Sequence, residues 1–211
     1  MRFLLLGASG GVGRRLLVRG VERGHAIRAQ TRDAARLAYA PAGVEVMAAA
    51  PTDAEALRTL VTGQQAVVMA LGTALGLRTA LFSIVTARLI AAMQAEGIAR
   101  LVAITGVGAG ETRGHGGHIY DWLIYPLFTR PFYEDKNRQE QLIRQSTLDW
   151  VLVRPAPFKA TAGPAPFQAI TEVKPETRLT RITRDEVAAF VLDQLADDRY
   201  LRKAVFIGHA A

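Results

Sequence analysis

Residues 4–15 read Leu-Leu-Leu-Gly-Ala-Ser-Gly-Gly-Val-Gly-Arg-Arg, and no other stretch narrows the possible folds so far. An apolar strand runs into a glycine turn, and a helix begins near Gly11. In such a unit the first glycine permits the tight turn and the second lets the backbone come close to a bound group. The third lets the helix lie near the strand. N–H groups at the helix start then face an anion, with the helix dipole behind them. Gly7, Gly10 and Gly13 satisfy G-x-x-G-x-x-G, and Gly7, Gly11 and Gly13 satisfy G-x-x-x-G-x-G. Neither is the commonest dinucleotide spacing, G-x-G-x-x-G.

With 211 residues, half of them hydrophobic, the chain suits one globular domain with a substantial core. Its moderate charge content excludes a disordered chain. Cysteine is absent, which removes disulfides, thiolate catalysis and cysteine-ligated metal and fits a reducing cytoplasm. The apolar start is too short for a signal peptide. No run reaches the ~18 apolar residues of a membrane span, since Arg88 interrupts the candidate near 80–95. The net charge is +7, but the arginines are scattered and no basic run exceeds Arg14-Arg15. That pattern reads as surface composition plus attraction for an anionic ligand, not as a nucleic-acid face.

Downstream, strand and helix patterns alternate. A first helix over about 12–23 stops at Gly24, and a strand covers 25–31. Its end carries Thr31-Arg32-Asp33, where sites that hold an unphosphorylated ribose usually place an acid. An arginine there suits a 2′-phosphate, and Arg14 offers a second cation. Asp53 reads as the N-cap of a helix over 54–62. Strands are expected at 44–47, 65–71 and 100–105, with a long helix at 79–96 that Gly97 stops. Alternation of this kind predicts an α/β fold: a doubly wound parallel sheet in three α/β/α layers with right-handed crossovers.

Gly106–Gly117 is a glycine-rich loop where an active-site rim is expected. His115 and His118 fall in or beside it, spaced i, i+3 with no third ligand nearby, so no metal is assigned. Residues 119–130 are aromatic and apolar and read as packing, with Pro126 and Pro131 as breaks. A polar helix is expected over 133–145, its Glu134, Asp135, Arg138 and Glu140 suggesting a solvated face, then a strand over 149–154. Residues 156–180 read as a loop with a short strand near 168–173. Thr183 caps a last helix over 184–196, and the last strand is 204–207.

Several segments carry a family resemblance together. They are Gly7-Ala8-Ser9-Gly10-Gly11-Val12-Gly13, Thr31-Arg32-Asp33, Ala66-Val67-Val68, Tyr133-Glu134-Asp135-Lys136, 148–155 (Leu-Asp-Trp-Val-Leu-Val-Arg-Pro) and 182–188 (Ile-Thr-Arg-Asp-Glu-Val-Ala). Over nearly its whole length the chain resembles the atypical short-chain dehydrogenase/reductases, above all the small NAD(P)H-binding, NmrA-like and biliverdin/flavin reductase-like members. The resemblance implies a Rossmann-like fold over 1–211, with 156–183 as a small substrate-side portion. It implies that residues 7–13 hold a pyrophosphate and Arg32 the adenosine 2′-phosphate. Leu71, Gly72 and Thr73 would line the nicotinamide-side ribose. Thr105 would supply a hydroxyl at its strand end, Lys136 would bond the ribose, and Pro155 would start the segment over the carboxamide.

Three features depart from the family pattern. Tyr133 and Lys136 stand i, i+3, whereas the usual Tyr-x-x-x-Lys pair, in which the lysine lowers the phenol pKa, is i, i+4. Gly106 replaces a serine, and Ala50 replaces an acid near adenine. The leading expectation is an NADPH-dependent oxidoreductase, with NAD(H) possible, reducing a small carbonyl, conjugated, flavin or quinone-type acceptor. Tyr133, Lys136 and Thr105 are its candidate catalytic residues. The alternatives are an NADP(H)-binding redox sensor and an epimerase-like enzyme retaining NAD. A monomer or homodimer is expected, with a small-molecule substrate and no membrane partner.

Overall fold

Along the first strand, Phe3 and Leu5 face one way and Leu4 and Leu6 the other, and all four are fully buried. A strand apolar on both sides needs helices on both sides, and the computed structural model of the protein has them. It describes residues 1–72, 80–107, 109–112, 130–163 and 165–210. The elements are β1 (Arg2–Leu6), α1 (Gly11–Glu22), β2 (Ala26–Thr31), β3 (Glu45–Ala48), α2 (Ala54–Val61), β4 (Ala66–Met69) and α3 (Leu81–Ala95). After them come β5 (Arg100–Ile104), α4 (Arg130–Gln145), β6 (Asp149–Pro155), β7 (Gln168–Ile170), β8 (Leu179–Arg181), α5 (Arg184–Asp193) and β9 (Lys203–Ala210).

The sheet runs β3-β2-β1-β4-β5-β6-β9-β7, with β8 also paired to β9. Every pair from β3 through β9 is parallel. Against one face, α1 and α5 bury Leu16, Leu17, Val187 and Val191 on Phe3, Ala29, Val68, Val102 and Val153. Against the other, α2, α3 and α4 bury Leu57, Leu60, Val85, Leu89 and Ile143 on Leu4, Val67, Leu101 and Leu152. Full burial of each large aliphatic side chain is worth roughly 1.5–3 kcal/mol, so the two cores are what hold the layers together. This is the doubly wound three-layer arrangement expected from the sequence.

Local signals account for the ends of these elements. Asp53 caps α2, accepting from the Glu55 and Ala56 amides at 2.9 and 3.2 Å. Thr183 and Glu186 form a reciprocal capping box on α5. Gly24 and Gly97 follow their helices with φ of +73° and +67°.

The structure corrects four expectations. First, α4 begins at Arg130 and not at 133, and Pro131 lies in its first turn, where a missing N–H costs nothing. Second, its charged face is only half solvated: Glu134 and Arg138 are exposed, but Asp135 and Glu140 are buried, as is Lys136. Third, the short strand expected near 168–173 is β7, but a second one that was not expected, β8, closes the region, and both run antiparallel to β9. Fourth, β9 runs through Ala210, so the last strand is twice as long as the four residues expected. Thr73, His115 and His118, and nearly all of the 119–130 segment, lie outside the described residues.

Candidate nucleotide-binding site

The strand order reverses between β1 and β4, which opens a crevice beyond their C-terminal ends. A cavity of about 880 Å³ fills this crevice. The turn after β1 forms its floor. Gly7 has φ +82°, and a Cβ there would meet the Ala70 carbonyl oxygen at 2.6 Å. A Cβ on Gly13 would collide with the Gly7 and Ala8 carbonyls, so α1 can press onto the turn only with glycine at that position. Gln30, buried at the end of β2, fixes the turn from the side. Its Oε1 accepts from the Gly7 amide at 3.2 Å, and its Nε2 donates to the Ala49 carbonyl at 2.7 Å.

Ser9, Gly10, Gly11 and Val12 face the cavity, while Ala8 and Gly13 lie beneath it. Gly10 caps α1 without a side chain, and no acidic residue occupies the first turn. The positive end of α1 therefore points into the cavity uncompensated.

At one end of the crevice stand Arg32 and Arg36, with Ala50, Pro51 and Thr52 across from them. Asp33, the acid that follows Arg32, is turned back on its own chain, where Oδ1 accepts from the Ala35 amide at 3.0 Å. Arg14 is elsewhere. It stacks on Tyr39 at 4.5 Å and donates to the Ser9 carbonyl, lining a neighbouring groove. Arg36, for which the sequence suggested no role, lines the cavity beside Arg32, whereas Arg14 does not line it.

At the other end are Leu71, Gly72, Ile104, Thr105 and Lys136. The Lys136 ammonium donates to the Ile104 carbonyl at 3.1 Å and lies 3.8 Å over the Phe82 ring. Burial lowers its pKa to about 7, and the nearby Glu140 and Asp135 carboxylates only partly offset that shift. Asp135 holds the helix in place: its carboxylate accepts from the Phe82 amide at 2.8 Å and from the Ser83 hydroxyl at 2.5 Å, capping α3.

Glu140 is clasped by Arg154 of β6 through Nε at 3.0 Å and Nη2 at 2.5 Å. The same carboxylate accepts the Thr105 hydroxyl at 2.7 Å. With its proton given to Glu140, Thr105 offers lone pairs to the cavity. Tyr133 is not brought into the cavity wall. It is buried against Phe82 and Ala109, with its hydroxyl beside Gly106. Pro155 is likewise buried at the end of β6, behind the wall.

A glycine turn at a topological switch point, opening on a crevice with arginines at one end, defines a Rossmann-type dinucleotide fold. A family model described as NAD(P)H-binding matches residues 7–198, and the chain belongs to that NAD(P)H-binding family. The fold is similar to that of ChuY, an anaerobilin reductase from Escherichia coli O157:H7, at TM-score 0.80 and 20% identity over 99% of this chain and 97% of that one. It is also similar to the oxidoreductase ylbE from Lactococcus lactis, at TM-score 0.79 and 17% identity over 100% and 91% of the two chains. A Rossmann-fold NAD(P)-binding protein from Shigella flexneri matches at TM-score 0.75 and 21% identity over 100% and 95%.

The residues present fit a nicotinamide dinucleotide. The turn would be filled by any side chain larger than hydrogen at Gly7 or Gly13, and the open end of α1 presents amides to a diphosphate. Among the described residues, no helix is long and apolar enough to cross a membrane.

Proposed function

We propose that the protein is an NADPH-dependent reductase that delivers hydride to a small conjugated, carbonyl, flavin or quinone-type acceptor. One observation carries the reading: a single cavity runs from Arg32 and Arg36, over the glycine turn, to Lys136 and Thr105. The bound nucleotide would supply the hydride. Residues 9–12 would hold the diphosphate through backbone amides, and Gly72 and Lys136 would hold the nicotinamide-side ribose. The Lys136 position is set by α4, which Asp135 locks onto α3. Residues 156–183 form the substrate-side portion.

Arg32 and Arg36 support the preference for NADPH, because paired guanidinium forks match phosphate geometry and Asp33 is engaged with the Ala35 amide. Thr105 acts as an acceptor, for an N–H or O–H on the ligand, and does not polarise a carbonyl. The proton that completes a reduction then comes from water or from Lys136, whose ammonium is acidic enough near neutrality to give one up.

A second reading, an NADP(H)-binding sensor without turnover, draws on Tyr133. The one phenol of the expected Tyr–Lys pair packs into the core and not against the cavity. Two measurements separate the readings. Calorimetric titration should give tighter binding of NADPH than of NADH, and Arg32→Ala should cut NADPH affinity by about tenfold or more while sparing NADH. NADPH oxidation is then followed across quinones, flavins, aldehydes and biliverdin. Turnover with any of them supports the reductase; binding with none oxidising the cofactor supports the sensor. Equal affinity for both nucleotides removes the NADPH assignment.

A further inference from the structure

Arg184 opens α5, more than 170 residues along the chain from the glycine turn, yet its side chain lies across that turn. A Cβ placed on Gly11 would stand 2.8 Å from the Arg184 Nε and 3.0 Å from its Cδ. The guanidinium is stacked 4.7 Å over the Phe158 ring, and both residues line the cavity opposite Ser9 and Gly10. The mounting is rigid. Thr183 and Glu186 lock the turn beneath Arg184, and Glu186 is bonded in turn to the buried His209 at 2.8 Å. Phe158 is held by the backbone pairing of its segment with Ile182, in which Lys159 donates to the Ile182 carbonyl at 3.0 Å.

The charged side chains that line the cavity (Arg32, Arg36, Lys136 and Arg184) are all basic. A cation over the start of α1 sits at the unfavourable end of the helix dipole, and the first turn carries no acid to compensate. Asp185, the acid next to Arg184, is turned the other way, onto Arg15 at 3.4 Å and Arg19 at 3.3 Å of α1. Those two contacts pin α5 against α1 and leave the Arg184 side facing the cavity without that carboxylate. An anion in the cavity within reach of both the guanidinium and the α1 amides reverses the repulsion on both sides.

We propose that Arg184, steadied by the face of Phe158, clamps the dinucleotide diphosphate from above while the glycine-turn amides hold it from below. This rests on the NAD(P)H reading of the cavity. The planar fork matches two non-bridging phosphate oxygens. The aromatic stack holds the guanidinium plane ready, which reduces the ordering cost on binding.

The test is titration of the intact protein with two probes, NADPH and adenosine 2′-monophosphate, the latter carrying the 2′-phosphate without the diphosphate. Arg184→Ala should raise the NADPH Kd by about tenfold or more and leave the monophosphate Kd unchanged. Arg184→Lys, keeping the charge but losing the fork, should fall between Arg184→Ala and wild type. Phe158→Leu should raise the NADPH Kd by about twofold to fivefold, the worth of a half-exposed cation–π contact. Because Arg184 is exposed, the ligand-free melting temperatures of its variants should match wild type. NADPH binding by Arg184→Ala within twofold of wild type would overturn the clamp. So would equal weakening of both probes, which marks a general field effect. Failure of the wild type to bind either nicotinamide nucleotide would overturn the cavity reading and the clamp with it.

Discussion

Lys136 ends in an ammonium group held by the Ile104 carbonyl and the face of Phe82, shut off from solvent, and its pKa falls to about 7. An exposed lysine titrates near ~10.4, so between these values the unfolded chain holds a proton that the folded chain has released. Stability from this group therefore rises with pH from about 7 to about 10, and the cost of the buried charge is fully present below 7. Lys136→Met should raise the melting temperature relative to wild type by a few degrees at pH 6, with the advantage shrinking steadily toward pH 10. Thermal melts across that range check it, and a difference independent of pH would mean that the ammonium is hydrated. In the same variant NADPH affinity should drop at every pH.

Between elements, the pairing that decides most is the one joining α4 to β6. Glu140 and Arg154 are both nearly inaccessible, and a charge stranded in such a place costs more than the pair contributes when intact. Arg154→Met should therefore destabilise by about 3–5 kcal/mol, lowering the melting temperature by about 10 °C. Adding Glu140→Gln to it should restore most of the loss, as a double-mutant cycle by calorimetry would show. This is also where the sequence was least readable. The α4 face carrying Asp135 and Glu140 looks solvated as a string because its local partners, Arg138 and Arg144, read as surface pairs, while the groups that bury it are remote. Phe82 and Ser83 lie more than fifty residues back, and Arg154 is on the next strand. By contrast, the glycine turn and the Asp53 and Thr183 caps were legible, since each is a local backbone demand met by residues within a few positions. Arg184 was quoted within a motif but carried no visible role, because only the folded sheet sets it over Gly11. The short antiparallel strand β8, three residues long, has too few positions for a period to show.

On the scale of the molecule, the sheet gathers the crevice from distant parts of the chain. Saturating NADPH should bind the assembled crevice and not the unfolded chain, so at one hundred times its Kd it adds about 2.7 kcal/mol. For a domain of this size that is a rise of roughly 5–10 °C in melting temperature; no shift with either nicotinamide nucleotide would contradict the site. Among the described residues, the arginine end is made by residues before position 73, and the opposite end by residues after 103 apart from Leu71, Gly72 and Leu81. Two halves of one cleft inherited from separate stretches of chain are free to diverge at different speeds. On the proposed function, selection on residues 156–183 would remodel the acceptor site while the choice between the two nicotinamide nucleotides, which that proposal assigns to Arg32 and Arg36 on the far side, passes unaltered to the protein's descendants.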